Sequence, residues 1–270
     1  MVPGQRVRDV SHEKRDPPVE RIESAHLRQL PDFMIIGTQR GGTTSLYQYL
    51  VAHPDIGRAY RKEIHFFDRY FDNGIDWYLA HFPVRGEHQI VGEASPFYVF
   101  HSDVPRRILT VAPQAKFILL LRNPVDRAYS QYHMKVERGL ETLSFAEAIA
   151  REPERLAVSN DPLDPAWRHH SYLARGLYVD QIRRWFDCFP RDRFSIVKSE
   201  EFYVEPVRIL HQTQEFLGVR PHSPGMFKVH HQADYAEMDP IFRRRLTEYF
   251  APHNRQLYNL LGRDFEWEHA

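Results

Sequence analysis

Apolar positions along the chain follow two rhythms. Short unbroken runs bounded by turn residues predict buried strands at 33–36, 56–60, 90–93, 116–121 and 194–197. Between them apolar residues recur at helical spacing. Leu46, Tyr49 and Leu50 open one helix, which ends near His53-Pro54 because proline disfavours helix in the residue before it. Further helices are predicted over 76–82, 104–111, 125–136, 172–189, 206–217 and 240–261. The 172–189 segment shows its face in Tyr178, Ile182, Trp185 and Phe186. Residues 141–168 break the rhythm and read as an insertion: a short helix at 145–150, then a polar loop containing proline. Strands alternating with helices predict an α/β fold with a central parallel sheet covered on both faces, its ligand beyond the carboxyl ends of the strands.

Composition narrows the class. With 270 residues, 42% hydrophobic and 27% charged, the chain suits one sizeable globular domain, placed at 31–270. Residues 1–30 are rich in charge and proline and read as a flexible arm, ordered only near 22–30. The 36 basic residues are balanced by 36 acidic ones, so no global field favours nucleic acid or membrane, and any anion site must be local. Cys188 is the lone cysteine, which excludes an intrachain disulfide. No apolar run approaches the ~18 residues of a membrane span, and the first residues lack the apolar core of a secretory signal. The expectation is a soluble, cytoplasmic protein.

The first strand runs into Gly37-Thr38-Gln39-Arg40-Gly41-Gly42-Thr43-Thr44-Ser45 and then a helix. A tight glycine-rich turn at a helix N-terminus gathers backbone N–H groups and the positive end of the helix dipole, and so suits a phosphate or similar oxyanion. Gly37 and Gly42 have the spacing of the nucleotide-binding G-x-x-x-x-G-K-[ST] loop, but Thr43 stands where that loop carries lysine. The only basic side chain is Arg40, three positions earlier. A kinase using Mg-ATP is therefore an alternative reading, weakened further because the 116–121 strand does not end in an acidic residue. A non-catalytic nucleotide-binding protein is a third reading.

That strand ends instead in Arg122-Asn123-Pro124. With both loops in view, the chain resembles the sulfotransferases that use 3′-phosphoadenosine-5′-phosphosulfate (PAPS), above all the heparan-sulfate-type branch (N-sulfo and 3-O-sulfo) and its bacterial relatives. The Gly37–Leu46 signature is similar to the family's 5′-phosphosulfate loop, and 122–130 (Arg-Asn-Pro-Val-Asp-Arg-Ala-Tyr-Ser) to its 3′-phosphate motif. Lys62-Glu63-Ile64-His65-Phe66-Phe67 resembles the segment bearing that branch's catalytic glutamate. Arg175-Gly176-Leu177-Tyr178, Pro252-His253-Asn254 and 261–265 extend the likeness, which covers about 32–267.

The resemblance implies a P-loop-like three-layer fold and sulfuryl transfer from PAPS to a hydroxyl or amine of a carbohydrate or small-molecule acceptor, with no metal. It implies donor binding by Thr38, Gln39, Arg40, Gly41, Gly42, Thr43, Thr44 and Ser45 at the 5′ end, by Arg122 and Ser130 at the 3′-phosphate, and by Lys228 in a closing loop. Glu63 would be the general base, Arg40 the group meeting charge on the departing phosphate, and His65 would orient the acceptor or share the proton. Arginine does not release a proton, which favours electrostatic stabilisation by Arg40 over acid catalysis. Phe66 and Phe67 beside Glu63 would raise its pKa, whereas Arg61 and Lys62 would lower it. Arg127 reads as an ion-pairing helix residue and Cys188 as a buried hydrophobe. His169-His170 and His230-His231 lack the spacing of metal ligands. Two departures weigh against a heparan-like acidic polymer: Ala94 follows Glu93 where animal heparan-type enzymes carry lysine, and 227–232 is poor in glycine and lysine. The 141–168 insertion is expected to shape the acceptor cleft.

Overall fold

The computed structural model describes residues 16–84, 86, 89–225 and 235–269. The apolar runs form β1 (Phe33–Gly37), β2 (Ile56–Arg58), β3 (Ile90–Ala94), β4 (Lys116–Leu121) and β5 (Phe194–Lys198). They pair in parallel in the order β2-β3-β1-β4-β5. Side chains alternate across the sheet with the period-two rule. Met34, Ile36, Phe117, Leu119 and Leu121 enter one core with Trp185, Phe189 and Leu257. Phe33, Ile35, Ile118 and Leu120 enter the other with Leu46, Leu50, Phe202 and Leu210. The result is the three-layer α/β arrangement the alternation predicted.

β1 lies at the centre, and the chain leaves it toward β2 on one side while β3 crosses over it to β4 on the other. The loops after β1 and β4 thus diverge around one crevice, the place where α/β sheets bind ligands. Between Ile35 and Gly37 the pairing with β4 shifts register, which turns the chain out of the sheet into the glycine-rich loop.

Several boundaries differ from the sequence reading. β2 stops at Arg58, and the aromatic helix spans Gly74–Leu79. The insertion is mostly helical, with Phe145–Ala150, Glu152–Leu156 and Pro165–His170. Pro153 and Pro165 occupy the first turns of the latter two helices, where the missing N–H costs nothing, so these prolines start helices and do not mark loop. The helix predicted at 172–189 begins only at Tyr178. Upstream, the backbone N–H groups of Leu173 and Ala174 donate to the buried Glu152 carboxylate (2.7 and 2.8 Å), a tertiary contact that periodicity does not carry. An additional helix, Ser199–Val204, follows β5.

Residues 16–30 of the N-terminal arm lie against the domain. Trp77 Nε1 donates to Asp16 (2.9 Å), Arg21 Nε to the Ala80 carbonyl (2.7 Å) and Arg28 Nη1 to the Phe82 carbonyl (2.6 Å). Among the described residues no helix is long and apolar enough to cross a membrane.

Gly92 of β3 pairs with Phe33 of β1, and a Cβ there would lie 2.3 Å from the buried Phe33 ring. Gly92→Ala is expected to lower unfolding free energy by about 1–3 kcal/mol through overpacking, measured by urea denaturation; an unchanged midpoint would contradict this account of the β1–β3 contact.

Candidate active site

The loop after β1 leads into the helix Thr43–Leu50. Its N-cap, Gly42, has φ 93°, a conformation open to glycine at little cost, and no side chain caps the helix. The N–H groups of the first turn have no partner within the helix and lie where an anion can take them. Other contacts brace the loop backbone. Thr38 directs both its N–H and its hydroxyl at the Leu120 carbonyl (2.9 Å each), so that hydroxyl belongs to the strand. Ser199 Oγ donates to the Gly41 carbonyl (2.9 Å), and Arg175 Nη1 donates to Gln39 Oε1 (2.7 Å).

The two anion-binding stretches of the sequence meet here. Arg40 Nε donates to Ser130 Oγ (2.8 Å), and Arg122 Nη1 donates to the Arg40 carbonyl (3.1 Å). Asn123 caps the helix Pro124–Glu137 by accepting from Val125 N (3.0 Å), Pro124 fills its first position, and Ser130 is thereby turned back over the strand ends. Tyr178 Oη fixes the Arg122 carbonyl (2.8 Å). Neither Arg40 nor Arg122 has a carboxylate ion-pair partner among the described residues. Burial and the neighbouring Arg122 charge lower the Arg40 pKa, as two like charges in a shared, partly desolvated place require. An anion resolves that repulsion.

The acidic side of the site lies on residues 62–68. Lys62 Nζ donates to Glu63 Oε1 (2.8 Å), His65 Nε2 lies 3.6 Å from Glu63 Oε2, and His65 Nδ1 lies 2.8 Å from Oδ2 of the buried Asp68. The segment hangs on the end of β3: Glu63 N donates to the Ala94 carbonyl (2.9 Å) and His65 N to Ser95 Oγ (3.3 Å). Beneath it the fully buried Glu93 accepts from Tyr78 Oη (2.6 Å) and Ser95 Oγ (2.7 Å), and burial pushes its pKa up to about 7.

Desolvation opposes ionisation of Glu63, whose side chain is still 48% exposed, but His65 and Lys62 outweigh it and hold the carboxyl below the usual range. Phe66 and Phe67 turn into the core, where Phe66 stacks on Tyr78 at 4.3 Å, and it is the charged neighbours that decide the direction. Burial likewise opposes a charged His65, yet Asp68 and Glu63 push its pKa up to about 9. Arg40, Glu63 and His65 are three of the four non-glycine residues with left-handed φ among the described residues (70°, 59° and 59°). Such backbone persists only where surrounding contacts enforce it, and it concentrates at functional sites.

Some residues were not singled out beforehand. Asp68, three residues beyond His65, carries a signal in that spacing. Lys135 carried none, because Arg127, Gln131 and Lys135 at i, i+4 intervals look like a solvated stripe; all three are buried. Lys135 Nζ meets His169 Nδ1 at 2.9 Å, and burial with the Arg175, Arg138 and Arg168 charges presses its pKa down to about 7. Arg127 is no surface ion pair: its guanidinium donates to Gln131 Oε1 (2.7 Å) and to the Tyr172 carbonyl. Cys188 is partly exposed. Lys228, His230 and His231 lie outside the described residues. Among the described residues no group of three or more His, Cys, Asp or Glu is placed to hold a metal.

The family model for the sulfotransferase domain matches residues 30–241. The chain belongs to the sulfotransferase family. This sulfotransferase is 31% identical to human heparan sulfate glucosamine 3-O-sulfotransferase 6 over 267 residues, covering 89% of this chain and 74% of that protein. It is 30% identical to the membrane-associated sulfotransferase kil1 of Dictyostelium discoideum, over 88% of this chain and 67% of that one. Among solved structures, a sulfotransferase from Alicyclobacillus acidocaldarius superposes with a TM-score of 0.77 at 36% identity, covering 90% of this chain and 100% of that chain. The resemblance to the heparan-sulfate-type branch and to bacterial relatives holds. The protein is an enzyme of the PAPS-dependent sulfotransferase class, which answers the kinase alternative raised by the loop.

The Asp68 contact makes a pH prediction. The raised His65 pKa stabilises the fold fully below the unfolded value of 6.5, and this contribution is lost as pH rises through about 9. In Asp68→Asn the His65 titration followed by NMR is expected to fall from about 9 toward 6.5; a midpoint that stays high would remove Asp68 as its cause.

Proposed function

We propose that Glu63 is the general base for sulfuryl transfer and that Arg40, the loop amides, Arg122 and Ser130 hold the donor. The observation carrying this reading is the junction of Arg40 with Ser130 and Arg122, which joins the two phosphate-type loops around one positive site without a carboxylate ion pair among the described residues. In this reading the 5′-phosphosulfate lies on Gln39, Arg40, Gly41, Gly42 and the first turn at Thr43, Thr44 and Ser45. Thr38 serves by tying the loop to β4. Arg122 and Ser130 take the 3′-phosphate.

The acceptor's hydroxyl or amine loses its proton to Glu63 as its oxygen or nitrogen bonds to sulfur. The bond from sulfur to the phosphate oxygen breaks, and the charge left on 3′-phosphoadenosine-5′-phosphate meets Arg40. Preorganised charge of this kind is commonly worth about 10²–10³ in rate. Glu63 is held ionised, so it is free of a proton at neutral pH, and its effectiveness rests on placement more than on basicity. His65, kept charged by Asp68, orients the Glu63 carboxylate and does not itself take the proton. Guanidinium groups and amides supply the positive charge, so transfer is expected to persist in EDTA.

For the acceptor we favour a carbohydrate or other small molecule with a hydroxyl or amine, supported by the names of the heparan sulfate relatives. Ala94, where those enzymes carry lysine, weighs against the same polymer. Cys188, alone and without a disulfide partner in the chain, supports a cytoplasmic setting. Residues 31–270 would form a single catalytic domain.

Calorimetric titration tests the donor site. Wild type should bind 3′-phosphoadenosine-5′-phosphate in preference to Mg-ATP, and Arg122→Ala should weaken that binding by about 10–100-fold, the worth of a charged hydrogen bond; a preference for Mg-ATP would overturn the reading. Glu63→Gln should lower kcat by about 10²–10⁴ with bisphosphate affinity preserved. A variant retaining wild-type turnover would remove Glu63 as the base.

A further inference from the structure

We propose that Arg175 is a positioning residue that orients the Gln39 side-chain amide, so that its NH₂ group holds an oxygen of the sulfuryl group being transferred. This rests on the donor site proposed above and adds a contact and a residue to it.

Arg175 lies in the turn Ala174–Gly176 and is 5% exposed. Its guanidinium lies over the rings of Phe97 (4.7 Å) and Phe100 (5.2 Å). Nε donates to Ser171 Oγ (2.7 Å), and Nη2 donates to the carbonyls of Trp167 (3.1 Å) and Arg168 (3.0 Å). Those contacts hold the group to its own segment and to the aromatic wall after β3. The remaining nitrogen, Nη1, reaches back 136 positions to Gln39 Oε1 at 2.7 Å. Every one of these acceptors is neutral, although a buried cation is ordinarily compensated by a carboxylate. A hydrocarbon side chain would fill the space between the rings more cheaply. What arginine adds is a rigid, directed donor.

The direction decides the chemistry. A guanidinium has donors only, so the Gln39 atom it touches must be the amide oxygen, and both N–H bonds of Nε2 face the other way. Among the described residues Nε2 makes no hydrogen bond to the protein. Gln39 immediately precedes Arg40 in the anion-binding loop. A neutral donor there complements the cation: Arg40 meets charge on the departing phosphate oxygen, and the amide orients a sulfuryl oxygen without neutralising the sulfur's electrophilic character. Gln39 transfers no proton, and the bonds formed and broken are those of the sulfuryl transfer itself. Because Arg175 is anchored on Trp167, Arg168 and Ser171, it also ties the insertion to the donor loop.

Two substitutions at Gln39 test this in the full-length protein. Gln39→Glu keeps an acceptor for Arg175 and strengthens that contact, but carries no N–H. Gln39→Leu removes both without adding charge. For each we expect kcat to fall about 100-fold, in line with losing one preorganised donor. Affinity for 3′-phosphoadenosine-5′-phosphate, which lacks the sulfuryl group, should stay within about threefold in Gln39→Leu and fall in Gln39→Glu through the added negative charge, and thermal midpoint should be maintained in Gln39→Glu. Wild-type kcat in either variant overturns the proposal, because a purely structural Gln39 requires only the Arg175 contact that the glutamate keeps. Arg175→Lys, which retains one donor, should recover part of the kcat lost in Arg175→Ala at unchanged donor KM. In a Gln39→Leu background, Arg175→Lys should have no further effect on kcat; independent, additive losses would also overturn it. Failure of the wild type to bind the bisphosphate would instead overturn the donor reading, so the two failures are distinguishable.

Discussion

Arg122 holds the Arg40 backbone carbonyl and its charge lowers the Arg40 pKa, while neither guanidinium has a carboxylate ion pair among the described residues. In isolation that arrangement is unfavourable, since like charges repel most strongly where water is partly excluded. The fold tolerates it because every backbone segment bearing these residues is pinned separately. Thr38 is fixed to β4, Gly41 to Ser199, and the Arg122 carbonyl to Tyr178. The sheet order provides the reason for the meeting, because β1 and β4 are neighbours whose connections leave in opposite directions. The proposed donor, an anion with two phosphate-like ends, would satisfy both cations together.

The opposite face of the crevice is organised by negative charge under equal constraint. Glu63 and His65 adopt left-handed backbone on a segment suspended from the end of β3, above the buried Glu93 and its hydroxyl partners. Asp68 keeps His65 charged, and the charged imidazole keeps Glu63 ionised. Each carboxylate is thus supported by a neighbour that is itself fixed, and strain in the backbone is offset by buried hydrogen bonds. The Glu63 carboxylate and the Arg40 and Arg122 cations are carried by segments at the ends of different strands, as the proposed transfer between them requires.

The insertion packs against the aromatic segment after β3. Phe100 lies 5.8 Å from Trp167, and Arg175 spans both regions while reaching the donor loop. Lys135 and His169 form a further buried contact in which burial disfavours charge on both groups. Through Arg175 the end of the insertion is hydrogen-bonded to the glycine-rich loop.

Local signals determined much of this protein. Five apolar runs became five strands because a strand buried on both faces must be apolar throughout. The glycine spacing after β1 and the Arg-Asn-Pro after β4 announced anion chemistry because loop amides and helix starts are encoded within a few residues. Arg40 could be named from the first of these stretches, and Glu63 and His65 from the family likeness at 62–67. Tertiary structure alone decided what those residues experience. The sign of the Glu63 shift depended on His65 and Lys62 outweighing desolvation. The burial of Arg127, Gln131 and Lys135 reversed what an i, i+4 polar stripe suggests. The delayed start of the Tyr178 helix came from Glu152, and the grip of Arg175 on Gln39 joined residues 136 positions apart. Hydrophobic period and turn chemistry are local and survive in the sequence. Desolvation, charge proximity and long-range hydrogen bonds exist only once the chain has folded.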